Sequence, residues 1–146
     1  MKIISIRQPW ASLIVSGIKD VENRTWSIRY RGPVLIHASR TVDEISDDEF
    51  QPRFGMALPA ALPRGGVVGV AEIVDCVRDY PSRWYASGHY AFVLANARPL
   101  PLIRWKGALS LCDAPPILIE LYGLSKCSTP STVKRDGDVK MRSGLS

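Results

Sequence analysis

Hydrophobic and polar positions along this chain change period several times, and each change predicts an element. Lys2 to Ile6 is short and mostly apolar, the pattern of a strand. Pro9 suits the first turn of a helix, where a missing N–H leaves nothing unpaired. Trp10, Leu13, Ile14 and Gly17 follow at i, i+3, i+4 and i+7, one face of a short helix that Gly17 is suited to end. From Val21 to Trp26 the period drops to two. Glu22, Arg24 and Trp26 then share one face, and Val21, Asn23 and Thr25 the other. Gly32-Pro33 marks a turn, and Val34 to Ala38 is an apolar run that reads as a central strand.

Beyond residue 40 the pattern predicts an acidic helix to about Phe50, opened by a capping box at Thr41-x-x-Glu44. Pro52 to Arg64 reads as a loop. Val67 to Val77 is a long strand, Tyr80 to Ser87 is irregular, and Tyr90 to Ala95 is another strand. Pro99 to Trp105 is strand-like but broken by proline, hence an edge or a bend. Pro116 to Tyr122 is expected as a last strand. The order is not a regular βαβ alternation, so a doubly wound sheet is disfavoured. The predicted class is α+β: a mixed β-barrel of about six strands with two or three short helices at its ends. From Ser125 the chain turns rich in Ser, Thr, Lys and Gly, and a flexible basic tail over 125–146 is expected after a domain over 1–124.

At 146 residues, 46% hydrophobic and 23% charged, the chain can bury a core as one domain without cross-links. No apolar run is long enough to span a membrane, and the N-terminal run is too short for a secretory signal. A cytoplasmic monomer is expected. Cys76, Cys112 and Cys127 are odd in number and widely spaced, so free thiols are expected and no metal or other cofactor. The net charge of +5 is unevenly spread: +4 over residues 1–37, −3 over 38–60, +1 over 61–124 and +3 from Ser125. Positive charge concentrated in the first third favours an anionic partner there.

Within that third, Arg7, Lys19, Glu22 and Arg24 fall at turns and strand starts, with Trp10, Trp26 and Tyr30 between them. Cations interleaved with flat aromatics suit a planar anionic ligand such as a nucleotide. Lys19 can bind an anion as an ammonium or, once desolvated, act as a base. Glu22 and Arg24 can pair with each other or with Lys19. Glu72 stands in an apolar strand on the face of Val68, Val70 and Val74, where a carboxylate needs a partner. Trp26, Tyr30, Trp84 and Trp105 are candidate stacking platforms, while Trp10 falls on the apolar face of its helix. His37, among Leu35, Ile36 and Ala38, reads as a hydrogen-bonded interior histidine, and Ser5 as a support for the pocket. No P-loop, GxGxxG, HExxH or GxSxG motif occurs, which disfavours the chemistries those motifs carry.

Ser5-Ile6-Arg7-Gln8-Pro9-Trp10, Gly17-x-Lys19-x-x-Glu22-x-Arg24, Arg31-Gly32 and Leu35-Ile36-His37-Ala38 together resemble the opening of an ASCH domain, a branch of the PUA-like superfamily. Gly65 to Glu72, Gly88 to Leu94, Arg98-Pro99-Leu100 and Lys106-Gly107 continue the resemblance, over roughly residues 2–123. It implies a PUA-like barrel that handles RNA or its bases. Arg7, Arg24 and Arg31 would then contact phosphates or carbonyls while Trp26 or Tyr30 stacks a base of RNA or a modified nucleoside. Some ASCH-like proteins are N4-acetylcytidine amidohydrolases that use a Lys, a Thr three residues later and a Glu on a later strand. Lys19 matches the Lys and Glu72 the later Glu, but Glu22 stands at the Thr position. On that second reading Lys19 is base or electrostatic catalyst, Glu72 a proton shuttle and Glu22 a positioning group, with single-stranded RNA cleavage a further option. Binding is the reading preferred on sequence, with no membrane partner.

Overall fold

The computed structural model describes residues 1–124, so the basic tail expected from Ser125 lies outside the described residues. Nine elements follow one another: β1 (Lys2–Gln8), α1 (Trp10–Val15), β2 (Val21–Arg24), β3 (Gly32–Val42), α2 (Asp47–Phe54), β4 (Gly66–Val77), β5 (Tyr90–Arg104), β6 (Leu111–Asp113) and α3 (Pro116–Leu121). The strands form one mixed sheet in the order β2-β5-β4-β3-β1-β6. Only β1 and β3 run parallel; the remaining neighbours are antiparallel. The α+β class with six strands and three short helices is as expected. Ladder hydrogen bonds do not join β2 to β6 among the described residues. A side chain instead reaches across: Arg24 of β2 donates from Nη2 to the Ser5 carbonyl of β1 at 2.9 Å. The sheet therefore curls far enough to bring two strands that are not neighbours within one arginine's length.

The core lies inside that curl. Ile4, Ile6, Val34, Ile36, Val68, Ile73 and Phe92 are buried with Ile14 of α1. Gly69 is what lets α1 sit on the sheet. A Cβ there would lie 2.6 Å from the Arg98 carbonyl and would collide with Val15. A second cluster gathers Leu13, Val21, Phe50, Trp84, Ala91 and Val93. The chain divides into two compact units, Met1–Asp113 and one that begins at Ala114.

Several assignments differ from the sequence pattern, among them α2, which runs through Pro52 to Phe54 where a loop is expected, and β6, a strand the pattern does not announce. β3 runs on to Val42, because its end still pairs with Gln8 of β1, so Thr41 is strand and not a cap. The capping box is Ser46 and Glu49, whose side chains each bond the other's backbone N–H at the start of α2. Residues 90–104 form one strand despite Pro99 and Pro101. β2 covers β5 only from Tyr90 to Val93, so both prolines fall where β5 has β4 alone beside it. Finally, Pro116–Leu121 is helix, not strand. Its apolar run is too short for periodicity to decide, and proline at the first helical position favours a helical start. No helix among the described residues is long and apolar enough to cross a membrane.

Candidate functional site

A cleft of about 1130 Å³ opens among the C-terminal half of β1, the end of β3 and the segment that follows β5. Its position follows from the topology. β1 delivers Ser5 and Arg7, β2 delivers Glu22 and Arg24, the far end of β3 delivers Arg40 and Thr41, and β5 ends at Arg104 before Trp105 and Lys106. Five of the residues singled out from sequence, Ser5, Arg7, Glu22, Arg24 and the stacking candidate Trp105, line this cleft together, and Trp10 and His37 also reach it.

Lys19, Glu22 and Arg24 form a linked group. The Glu22 carboxylate lies 3.5 Å from Lys19 Nζ through Oε1 and accepts from Arg24 Nε at 3.0 Å through Oε2. Lys19 is buried, and its ammonium also donates to the Val21 carbonyl. Burial pushes the Lys19 pKa below its ordinary value, with Glu22 opposing that shift. Lys19 stands behind the wall of the cleft and faces the Trp10 ring at 6.0 Å.

On the other side Asp43 ties two lining residues together. It accepts from Arg7 Nη1 at 3.0 Å and from Trp10 Nε1 at 2.7 Å. Trp10 thus has one edge in the aromatic cluster with Phe50 and Phe54 and also lines the cleft. Beneath the floor, His37 is buried and fully bonded. Its Nε2 donates to the Trp105 carbonyl at 2.6 Å, which leaves Nδ1 to accept from the Ser5 hydroxyl at 3.1 Å. The Ser5 oxygen in turn accepts from the Ala108 N–H at 3.2 Å. These bonds fasten residues 105–108 over β1 and β3, in keeping with an interior role for His37. Gly107 permits the close approach, since a Cβ there would lie 2.8 Å from the His37 ring and 2.9 Å from the Ser5 oxygen.

Charge is the property these groups share. Arg7, Arg24, Arg40, Arg104 and Lys106 line the cleft against two carboxylates, Glu22 and Asp43. Both carboxylates are already engaged by cations, whereas Arg40, Arg104 and Lys106 have no ion pair among the described residues. Trp10 and Trp105 supply aromatic surface to the same cleft. Arg40, Arg104 and Lys106 do not stand out in the sequence pattern. The Lys106-Gly107 pair in the resemblance is the available signal, but nothing local shows that the ends of β3 and β5 meet.

The other residues singled out from sequence lie elsewhere. Glu72 accepts from the Asn96 amide at 2.9 Å and does not line the cleft. Tyr30 donates to the Pro33 carbonyl at 2.7 Å, with its ring over Gly32, and its pKa is raised chiefly by burial. Arg31 bonds the carbonyls of Ile28 and Tyr30 and lies 3.6 Å from Asp75. Trp26 falls just beyond β2 and packs edge-on against Phe92, with the Arg24 guanidinium 5.9 Å from its ring. Trp84 is buried and stacked on Phe54. No group of three metal-ligating side chains comes together among the described residues.

A curled, six-stranded mixed sheet bearing short helices is a PUA-like fold. The ASCH domain family model matches residues 4–104, and the chain belongs to that family. It is 35% identical over 81 residues to activating signal cointegrator 1 of Homo sapiens, and equally so to the protein of that name from Mus musculus. These matches cover 51% of this chain but only 14% of either relative. Among solved structures, the ASCH protein of Zymomonas mobilis has the same fold, with a TM-score of 0.56, 19% identity, and 91% of this chain covered against 97% of that one. A tyrosine-to-phenylalanine variant of that protein gives a TM-score of 0.57, 19% identity, and coverage of 82% and 96%.

Proposed function

We propose that this ASCH domain binds single-stranded RNA, or a nucleotide unit of it, in the cleft between β1, β2 and the ends of β3 and β5. The observation that carries the reading is the surplus of cations there. Arg40, Arg104 and Lys106 have no carboxylate partner among the described residues, while every carboxylate of the lining has a cation. Unpaired cations around a cleft are suited to phosphate oxygens. Trp10 and Trp105 offer flat surfaces on which a splayed base can stack. Arg7 and Arg24 add donors at the same wall.

The hydrolase reading needs Lys19 and Glu72 to meet one substrate. Glu72 is engaged by Asn96 outside the cleft, and Lys19 is turned to Glu22 and the Val21 carbonyl. Binding is therefore the favoured function. Fluorescence anisotropy with a labelled single-stranded RNA, across a range of salt, tests it. Affinity should fall with salt. The triple variant Arg40→Ala, Arg104→Ala, Lys106→Ala should flatten that dependence by roughly two units of log–log slope, about 0.7 for each phosphate no longer neutralised. Unchanged affinity and slope in the variant would refute the site. Conversion of N4-acetylcytidine to cytidine, lost with Lys19→Met, would replace binding by hydrolysis as the activity.

A further inference from the structure

One side chain of the cleft does not fit a site made of charge. Six large apolar side chains are exposed among the described residues, and five of them are only 42–59% exposed. The sixth, Leu109, is 92% exposed, and it alone of the six lines the cleft. A leucine scattered on a surface is ordinary. Leu109 instead shares a cleft with Arg40, Arg104 and Lys106, where its neighbours carry charge and its own chain leaves it almost wholly in water.

Leu109 is also held in place. Its segment begins where β5 ends at Arg104 and finishes where Leu111 of β6 pairs with Ile4 of β1. Between these anchors the Trp105 N–H donates to the Gly65 carbonyl at 3.1 Å and the Ala108 N–H to the Ser5 hydroxyl at 3.2 Å. The Cys112 thiol donates to the Leu109 carbonyl itself at 3.3 Å. Directly after the leucine, Ser110 takes a φ of 65°, a left-handed conformation uncommon for a residue with a side chain. The backbone on both sides of Leu109 is thus tied down before any ligand arrives, and less ordering entropy remains to be lost when one does.

A phosphate gains nothing from a leucine. The part of RNA that does is the flat face of a base, which is uncovered once the strand is single. A strand whose phosphates meet Arg40, Arg104 and Lys106 carries its bases within one sugar of them. Trp105, four residues before Leu109 on the same segment, already offers a ring to such a base. We infer that Leu109 packs against the face of an unpaired base of the bound strand, whichever base that is. This rests on the binding reading above and adds to it an apolar contact that salt does not screen.

Fluorescence anisotropy with a labelled single-stranded RNA tests it, with inorganic polyphosphate as a competitor that carries charge but no bases. Leu109→Ser should weaken RNA binding about tenfold, the loss expected when a leucine no longer buries most of its surface. The salt dependence and the affinity for polyphosphate should stay as they are, because no phosphate contact is removed. Leu109→Met keeps the apolar volume and should remain within about twofold of the wild type. Leu109 touches little of its own chain, so the urea midpoint of both variants should not move, and a lost affinity is then not a lost fold. Unchanged RNA affinity in Leu109→Ser overturns the inference. An equal loss toward polyphosphate overturns it too, since the whole segment would then have shifted. Either result leaves RNA binding standing. If the wild type binds no RNA, the proposed function falls and the inference with it.

Discussion

Replacing Lys19 by Met and Glu22 by Gln should have unequal consequences, although each breaks the same ion pair. Lys19 is 5% exposed, and burial of its ammonium is the largest influence on its pKa. Met fills a similar volume and removes that desolvation cost. Glu22 is not stranded, because Arg24 remains at 3.0 Å. The Val21 carbonyl loses one donor, worth about 1 kcal/mol, against a gain of comparable size from removing the buried charge. Lys19→Met should therefore shift stability by less than about 1.5 kcal/mol in either direction. Glu22→Gln instead leaves a buried ammonium beside the Arg24 guanidinium with no carboxylate between them, at a cost of about 3 kcal/mol. The double variant should recover most of that loss, a coupling of about 2 kcal/mol.

Urea unfolding monitored by tryptophan fluorescence measures all four proteins, and pH supplies an internal check. The folded pKa of Lys19 lies below its unfolded value of 10.5. Below the lowered value both states hold the proton and the folded state carries the full cost of burying it. Between the two values the unfolded state binds more protons, so stability rises with pH, and above 10.5 the cost has gone. Relative to Lys19→Met, the wild type should therefore become more stable as pH climbs through that window, and the Glu22→Gln penalty should shrink. A Lys19→Met loss above about 3 kcal/mol, or a Glu22→Gln loss below about 1 kcal/mol, would refute the reasoning.

Gly107→Ala drives a Cβ into His37 and Ser5, both held by hydrogen bonds, so residues 105–108 must lift. A loss of about 1–3 kcal/mol in urea is expected, with weaker RNA binding because Trp105 and Lys106 move with the segment. An intact affinity would show that the segment is not part of the site. Ser46→Ala removes the cap of α2 and should cost about 1 kcal/mol, with no effect on RNA affinity measured by anisotropy.

Elements that rest on local rules are legible in the linear chain. Trp10, Leu13 and Ile14 on one helical face, Gly17 at a positive φ after it, and the alternation of Glu22 with Arg24 all have their causes within a few residues. The ordered blocks from Ser5 to Gly107 carry the family, because turns, bare glycines and buried strands impose residue types at fixed places. Which charges share a cleft is not legible in that way. Arg40 and Arg104 are 64 positions apart in the chain, and they meet because Ala38, Gly66 and Arg104 are register partners across β3, β4 and β5. Glu72 looks as suspicious as Glu22 in a linear reading, since both are acids within strands. The curl of the sheet directs one into the cleft between two cations and leaves the other to an asparagine amide. Alternation within a strand sets which face a side chain takes, but the neighbour it meets there is set by long-range pairing and twist, to which no short window has access.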